Sequence, residues 1–314
     1  VTHRIAVLAG GSSLEREVSL RSGTRVADAL ADRGHHVDRI DVDASMVTRL
    51  TSATPDLDVA FLCLHGSAGE DGTVQSLLEL IGLPYTGPDV LASSLAWNKP
   101  IAQGLFRRAG IHVPTNVVLS QQAFRDMGAA AVIDRVGAEL GTPLVVKPAT
   151  GGSSLGLSIV DDASDLPPAI VGAFSYADSV LIERFVAGTE VAVSVVGGEP
   201  LPPVEIHPKE GAYDFAARYT AGATEFHVPA RLDDEVREAC ADVALRAWSA
   251  IGARHVSRAD MVVDVDGVPH LLELDTCPGL TDTSLLPLAA QAAGTDFGEL
   301  CERILGLALE EGDA

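Results

Sequence analysis

The sequence predicts an α/β protein of more than one domain, and three observations lead there. Its 314 residues exceed what one compact core usually organises, so two or three domains are expected. The first part of the chain alternates apolar strands with helical patterns, which indicates a parallel sheet covered by helices. Later segments instead join strands through glycine-rich loops and tight turns, the pattern of hairpins.

Composition narrows the function. Hydrophobic residues make up 47% of the chain, enough for substantial cores, and the net charge is −22. Such acidity argues against a nucleic-acid backbone or an anionic membrane surface as partner. No charged-then-apolar leader opens the chain and no apolar run is long enough to span a bilayer, so a cytoplasmic protein is expected. Cys63, Cys240, Cys277 and Cys301 show neither metal-ligand nor disulfide spacing, and pack as small apolar residues. Only three lysines, Lys99, Lys147 and Lys209, stand against nineteen arginines. A chain that uses arginine almost everywhere keeps lysine where a compact ammonium is needed.

In chain order, residues 4–9 read as a buried strand followed by Gly10-Gly11-Ser12-Ser13 and a helix from Leu14 to about Leu30. Strand, glycine turn and helix is a common way to meet an anion, although GxGxxG is absent. Glu15 stands three residues after Ser12, as the partner in a capping box would. Strands follow at 36–42 and 58–64, the second ending in His65-Gly66-Ser67-Ala68-Gly69-Glu70-Asp71-Gly72. His65 thus lies at a strand's C-terminal end, where ligands of parallel sheets gather. Glu70 and Asp71 are explained by the dipole of the next helix. A helix from about Asp89 to Ala109 carries Lys99, with a domain boundary near Asn98, and another runs over 121–139.

Residues 143–160 then read as strand, glycine/serine loop and strand, with Lys147 just before Gly151-Gly152-Ser153-Ser154. This is not a Walker A loop, since no GK[ST] opens a helix, but a mobile loop rich in donors suits a polyphosphate. Val180 to Glu190 reads as a strand and a short connector. Residues 191–206 alternate as strands do, 207–228 look like a long functional loop, a helix spans Asp233 to Ile251, and one or two helices close the chain from Ser284.

The hairpin at 256–279 holds the clearest chemistry. If Asp266-Gly267 forms the turn, Val265 faces Val268, Asp260 faces Glu273 and Arg258 faces Asp275, so all four charged residues share one surface. Facing carboxylates repel unless neutralised, and a magnesium ion would do that while keeping positions for phosphate or water. Cys277-Pro278-Gly279-Leu280 adds a turn whose N–H groups suit developing negative charge. The plainer reading is a solvated polar face in which Arg258 pairs with Asp275.

Three stretches, GGSSLEREVS at 10–19, HGSAGEDGTVQ at 65–75 and SRADMVV through ELDTCPG at 257–279, resemble the D-alanine:D-alanine ligase family of the ATP-grasp superfamily. The likeness runs from Arg4 almost to the C-terminus. It implies a three-domain ATP-grasp fold: an amino-terminal Rossmann-like α/β domain (1–97), a central grasp domain (98–186) and a C-terminal catalytic domain (187–314). It also implies a ligase that joins two D-alanines through an acyl phosphate, using ATP and magnesium or manganese, for peptidoglycan precursors, and that acts as a homodimer. By position Lys99, Lys147 and Arg218 correspond to contacts with ATP phosphates, Gly152, Ser153 and Ser154 to the phosphate cover, and Glu183, Arg184, Phe185, Val186 and Glu190 to adenine and ribose contacts. Asp260, Glu273 and Asp275 correspond to the magnesium ligands, and Arg258 with the Gly279 N–H to the groups that stabilise the tetrahedral intermediate. Glu15 and His65 match the first substrate's site, which displaces the capping role, and Ser284 with Leu285 matches the second's. Tyr219 matches a loop tyrosine that links to Glu15 and Ser153 on closure and excludes water.

Two residues depart from the family pattern: Asp275 stands where asparagine is usual, and Arg218 where a lysine is expected. Asp275 adds negative charge near the metals, and arginine keeps charge but changes geometry. The alternatives are the same chemistry on another pair, such as D-alanine with D-lactate, which Tyr219 disfavours, or a non-catalytic ATP-binding relative. A nicotinamide oxidoreductase would require the glycine fingerprint that is missing.

Overall fold

The protein is described here by a computed structural model covering every residue except Thr54, Pro55, Met127, Glu210, Ala212, 214–217, Tyr219, Ala221, Asp313 and Ala314. Two short apolar segments, β1 (Arg4–Ala9) and β3 (Val59–Leu62), and a largely polar edge strand, β2 (His36–Asp41), form a parallel sheet in the order β2-β1-β3. Because β1 and β3 are covered on both faces, their residues are apolar without alternation. One face packs on Leu50, Val74 and Leu78. The other packs on Val26 and Leu30 of the helix Arg16–Asp32, whose cluster continues into Leu300 and Ile304 of the helix Phe297–Gly312.

Two antiparallel sheets follow. The smaller comprises β4 (Asn116–Ser120), β5 (Leu144–Pro148), β6 (Ser158–Val160) and β7 (Ser179–Arg184), in the order β4-β7-β5-β6. Its apolar face, with Leu144, Val146, Val180 and Ile182, packs on Val136, Leu140, Leu166 and Ile170 of two covering helices. The larger comprises β8 (Gly188–Val196), β9 (Glu199–Pro200), β10 (Val204–Pro208), β11 (Thr224–His227), β12 (Val256–Asp264) and β13 (Pro269–Asp275). Its order is β11-β10-β8-β12-β13, with β9 beside β8. One face of β8 and β12, with Val191, Val193, Ala259 and Met261, packs on Ala102 and Phe106 and on Ala244 and Ala247 of the helix Asp234–Ile251.

The structure departs from the sequence expectation in four places. The helix expected over 89–109 is two helices, Val90–Trp97 and Lys99–Arg108. Pro100 has no N–H to give to the Ala96 carbonyl and its ring would clash with it, so the helix restarts with Asn98 Oδ1 accepting from the Ile101 N–H at 3.2 Å. The helix expected over 121–139 likewise divides into Gln121–Asp126 and Ala129–Leu140, with Gly128 at φ 85° between them. The loop expected over 207–228 ends in β11, which pairs antiparallel with β10.

The fourth departure concerns the charged hairpin. The turn is a three-residue loop, in which Asp264 N–H donates to Val268 O at 3.0 Å, Gly267 N–H donates to Asp264 O at 3.0 Å and Gly267 takes φ 79°. This is the three-residue hairpin connection that places glycine in the left-handed region. Val265 therefore sits at the tip, 89% exposed, rather than facing Val268. A bulge then falls between the pairs Met261–Leu271 and Asp260–Glu273, and restores the expected register at Asp260–Glu273 and Arg258–Asp275. The two one-residue shifts cancel, so the functional end of the ladder is as the sequence predicts.

Candidate active site

Alternation along β12 sends Ala259, Met261 and Val263 into the core and Arg258, Asp260 and Val262 to the opposite face. There Arg258 Nε and Nη2 donate to Asp260 Oδ1 at 2.6 Å and Oδ2 at 2.8 Å, and Arg258 Nη1 lies 3.0 Å from Asp275 Oδ2. Burial works against the Arg258 guanidinium, but Asp260 and Asp275 outweigh it and hold it protonated. Glu273, next on β13, meets Lys99 Nζ at 3.1 Å. Burial pushes its carboxyl up, yet Lys99, Lys147 and Arg218 prevail and hold it at about 2.

A cleft of about 770 Å³ runs between the two antiparallel sheets, a size suited to a cofactor. Lys147, Gly152, Ser154, Glu183, Arg184, Phe185, Val186, Glu190, Arg218 and Asp260 all line it. At its floor Lys147 Nζ and Glu183 Oε2 form a buried ion pair at 2.7 Å. The Glu183 carboxylate is thereby committed inward, and the strand end Arg184 to Val186 faces the cleft. Burial, opposed by Arg218 and reinforced by Asp260 and Glu273, pushes the Glu190 carboxyl up to about 7. The glycine/serine loop is shaped by consecutive left-handed residues, Ser153 at φ 50° and Ser154 at φ 57°.

A smaller chamber of about 90 Å³ opens beside the cleft, lined by Glu15, His65, Ser153, Arg258, Asp275, Gly279, Ser284 and Leu285 among others. Glu15 precedes its helix but makes no side-chain cap. Its carboxylate instead accepts a hydrogen bond from Ser153 Oγ, and burial raises its pKa although that bond opposes the rise. His65 is buried with Nε2 3.3 Å from Ser22 Oγ, and burial lowers its pKa to about 4. Ser284 Oγ accepts from the Thr281 N–H at 3.0 Å. Gly279 lies so close that a Cβ there would sit 2.7 Å from Ser284 Oγ. Cleft and chamber share a wall that includes Lys99, Gly152, Arg218 and Glu273.

Among the described residues no group of three His, Cys, Asp or Glu side chains stands ready as a metal cage. Asp260 and Asp275 are turned to Arg258, and Glu273 to Lys99. The donor set nevertheless fits a hard divalent cation, since three carboxylates on adjacent strands supply the oxygen ligands magnesium prefers.

Every candidate residue within the described part of the chain lines one cavity or the other, while Tyr219 lies outside the described residues. Several lining or supporting residues were not among the candidates. Glu70, read as a helix-dipole partner, is carried into the chamber wall, where its Oε1 accepts the Gly66 N–H at 2.9 Å. Burial and the nearby Asp275 and Glu15 raise its pKa well above the usual carboxylate range. Tyr213 lies under the Arg218 guanidinium, 4.3 Å from ring centroid to Cζ, and its carbonyl accepts from Ser154 Oγ at 3.2 Å. Gln103 Nε2 donates to Glu183 Oε1 at 2.5 Å and to Leu272 O at 3.1 Å. The aromatic residues of 207–228 were a usable signal for Tyr213; a single glutamine within a helix offered none.

Known proteins share this architecture. Residues 41–88 match the family model for the D-ala D-ala ligase N-terminus and residues 105–306 that for the D-ala D-ala ligase C-terminus. A D-alanine–D-alanine ligase of Anaeromyxobacter sp. (strain K) is 44% identical over 308 residues, covering 98% of this chain and 97% of that protein. The crystal structure of the D-alanine–D-alanine ligase from Bacillus anthracis complexed with ATP superposes with a TM-score of 0.85 at 32% identity, over 99% of both chains. The VanG D-Ala:D-Ser ligase from Enterococcus faecalis gives 0.83 at 28% identity, over 98% of this chain and 100% of that one. Matched along both family models and nearly end to end by these relatives, the chain belongs to the D-alanine–D-alanine ligase family.

Proposed function

We propose that this enzyme condenses two D-alanines to D-alanyl-D-alanine at the expense of ATP, in the cytoplasm and as a homodimer, to supply a cell-wall precursor. The observation that carries the reading is the shared wall: Lys99, Arg218 and Glu273 face both the nucleotide-sized cleft and the small chamber. A γ-phosphate and a small carboxylate placed in the two cavities would meet there. The D-alanine–D-alanine ligase from Bacillus anthracis, solved with ATP, supports the nucleotide. The division at 1–97, 98–186 and 187–314 is proposed on the same footing, since each span contains one of the three sheets.

In this reading Arg184 to Val186 receive the adenine, Glu190 the ribose, and Lys147, Lys99 and Arg218 the phosphates, beneath the loop Gly152 to Ser154. Glu15 binds the ammonium of the first D-alanine, with His65 beside it. One carboxylate oxygen of that substrate attacks the γ-phosphorus and the bond to ADP breaks, leaving an acyl phosphate. Ser284 and Leu285 hold the second D-alanine, whose deprotonated amine attacks the acyl carbon; the bond from that carbon to the phosphate oxygen then breaks, and phosphate departs with the proton the nitrogen sheds. Arg258 and the Gly279 N–H face the oxyanion that forms in between. Asp260, Glu273 and Asp275 would hold magnesium, which supplies charge neutralisation for phosphoryl transfer. Tyr219 is assigned to the lid that keeps water from the acyl phosphate.

The test is phosphate release from ATP and magnesium with D-alanine alone, with D-alanine plus D-lactate or D-serine, and with L-alanine, followed by mass spectrometry. D-alanyl-D-alanine from D-alanine alone is expected. Nucleotide binding without any product from D-alanine would overturn the reading.

A further inference from the structure

The turn that carries Gly279 and Ser284 is held from outside the large sheet. Arg25, on the helix Arg16–Asp32, donates through Nη1 to Leu280 O and to Thr281 O, each at 3.0 Å. Its Nε lies 2.9 Å from Asp282 Oδ1, and its guanidinium stacks over the Phe297 ring at 3.6 Å from the centroid. One turn earlier on that helix, Ser22 Oγ accepts from the Leu280 N–H at 3.3 Å and contacts His65 Nε2. The helix begins immediately after Glu15. One rigid element therefore touches the residues assigned to the first substrate, Glu15 and His65, and grips the segment assigned to the second.

We propose that Arg25 is a positioning residue for the second-substrate subsite: it fixes the 279–284 turn relative to Glu15 and so sets the affinity for the acceptor. This rests on the acceptor assignment made above. Asp282 is 89% exposed, so that ion pair contributes little. The work falls to the two carbonyl contacts, both made by Nη1, and to the aromatic stack, which needs a planar cation. Three consecutive residues, 280–282, are engaged by one guanidinium, and their neighbours line the chamber. The two carbonyls released by losing these charge-assisted hydrogen bonds can turn to water and recover part of the loss, so about a tenfold change is expected in whatever the turn positions.

The experiment uses the full-length enzyme with Arg25→Ala, Arg25→Lys and Asp282→Asn. Dipeptide formation is followed against D-alanine concentration and fitted to two sequential binding constants, alongside KM for ATP. Amide hydrogen exchange over 279–284 is measured without substrates. For Arg25→Ala we expect the second D-alanine constant to rise about tenfold, with the first constant and KM for ATP within about twofold. Exchange in the turn should accelerate, Arg25→Lys should fall between, and Asp282→Asn should stay near wild type. Unchanged exchange in the turn, or an equal rise in all three constants that lysine does not relieve, would overturn the proposal. Absence of dipeptide from the wild type would overturn the ligase reading instead, and the exchange measurement would still judge the strut.

Discussion

Lys147 has an observed partner, Glu183, and a proposed one, the nucleotide, which one substitution would confuse and a pair of substitutions separates. Its ammonium lies 2.7 Å from Glu183 Oε2, and both side chains are buried. At an effective dielectric near 20 that separation corresponds to roughly 6 kcal/mol of attraction before desolvation is counted. Replacing Lys147 by methionine leaves the Glu183 carboxylate buried without its counter-charge, which typically costs 3–5 kcal/mol, an order-of-magnitude range. Glu183 keeps the Gln103 Nε2 donor at 2.5 Å, which places the expected loss at the lower end, about 3 kcal/mol. Scanning calorimetry should show a Tm lower by roughly 5–10 °C. In the double variant Lys147→Met/Glu183→Gln no orphaned charge remains, and most of the lost stability should return. Nucleotide affinity should not return, because the cation is still missing from the cleft. The reasoning fails if Lys147→Met is as stable as wild type, or if the double variant binds ATP normally.

Other substitutions probe the chamber and the hairpin. Gly279→Ala would bring a Cβ to 2.7 Å from Ser284 Oγ, pushing that hydroxyl aside; KM for the second D-alanine should rise by roughly an order of magnitude with KM for ATP unmoved, and equal constants would remove Ser284 from the acceptor site. Glu273→Gln should fold normally yet lose at least roughly 100-fold in turnover; near-wild-type turnover would sink the metal assignment. His65 has its pKa lowered by burial to about 4, below the ordinary value near 6.5. As pH falls below that ordinary value the unfolded chain takes up a proton that the folded chain refuses, so stability drops by up to about 3 kcal/mol on approaching pH 4 and nothing is lost above neutrality. His65→Gln should flatten that part of the curve in urea titrations from pH 7 to 4, and parallel curves would contradict the buried, neutral imidazole.

How much of this was legible depends on the range of the interaction concerned. The first sheet was readable because β1 and β3 are apolar runs that local pattern reveals directly. The split at Asn98 was readable in principle from Pro100, but helix-compatible residues on both sides of it, VLASSLAW and IAQGLFRR, concealed it. Glu70 shows the opposite failure. Its place before a helix supplied a sufficient local explanation, whereas its burial beside Glu15 and Asp275 depends on two segments far away in the chain. Gln103 is more extreme, since its role exists only because β7 and the bulge on β13 bring Glu183 and the Leu272 carbonyl to one point. The hairpin register at the site was correct although the turn was placed one residue off, because the longer turn and the bulge compensate.

The scarcity of lysine was a guide of limited reach, and the reason lies in the geometry each cation must satisfy. Lys99 and Lys147 do occupy the site, each meeting one carboxylate as a compact charge at 3.1 and 2.7 Å. Lys209 does not, lying exposed and 3.7 Å from Glu225. Where a cation must span two carboxylates or lie on a ring the chain uses arginine: Arg258 bridges Asp260 and Asp275, and Arg25 joins two carbonyls, a carboxylate and a ring. A lysine presents a point charge and cannot reproduce either fork. Arg218, stacked on Tyr213, follows the same logic, since a planar guanidinium lies flat on an aromatic face in a way an ammonium cannot. The arginine at position 218 therefore has a partner suited to it.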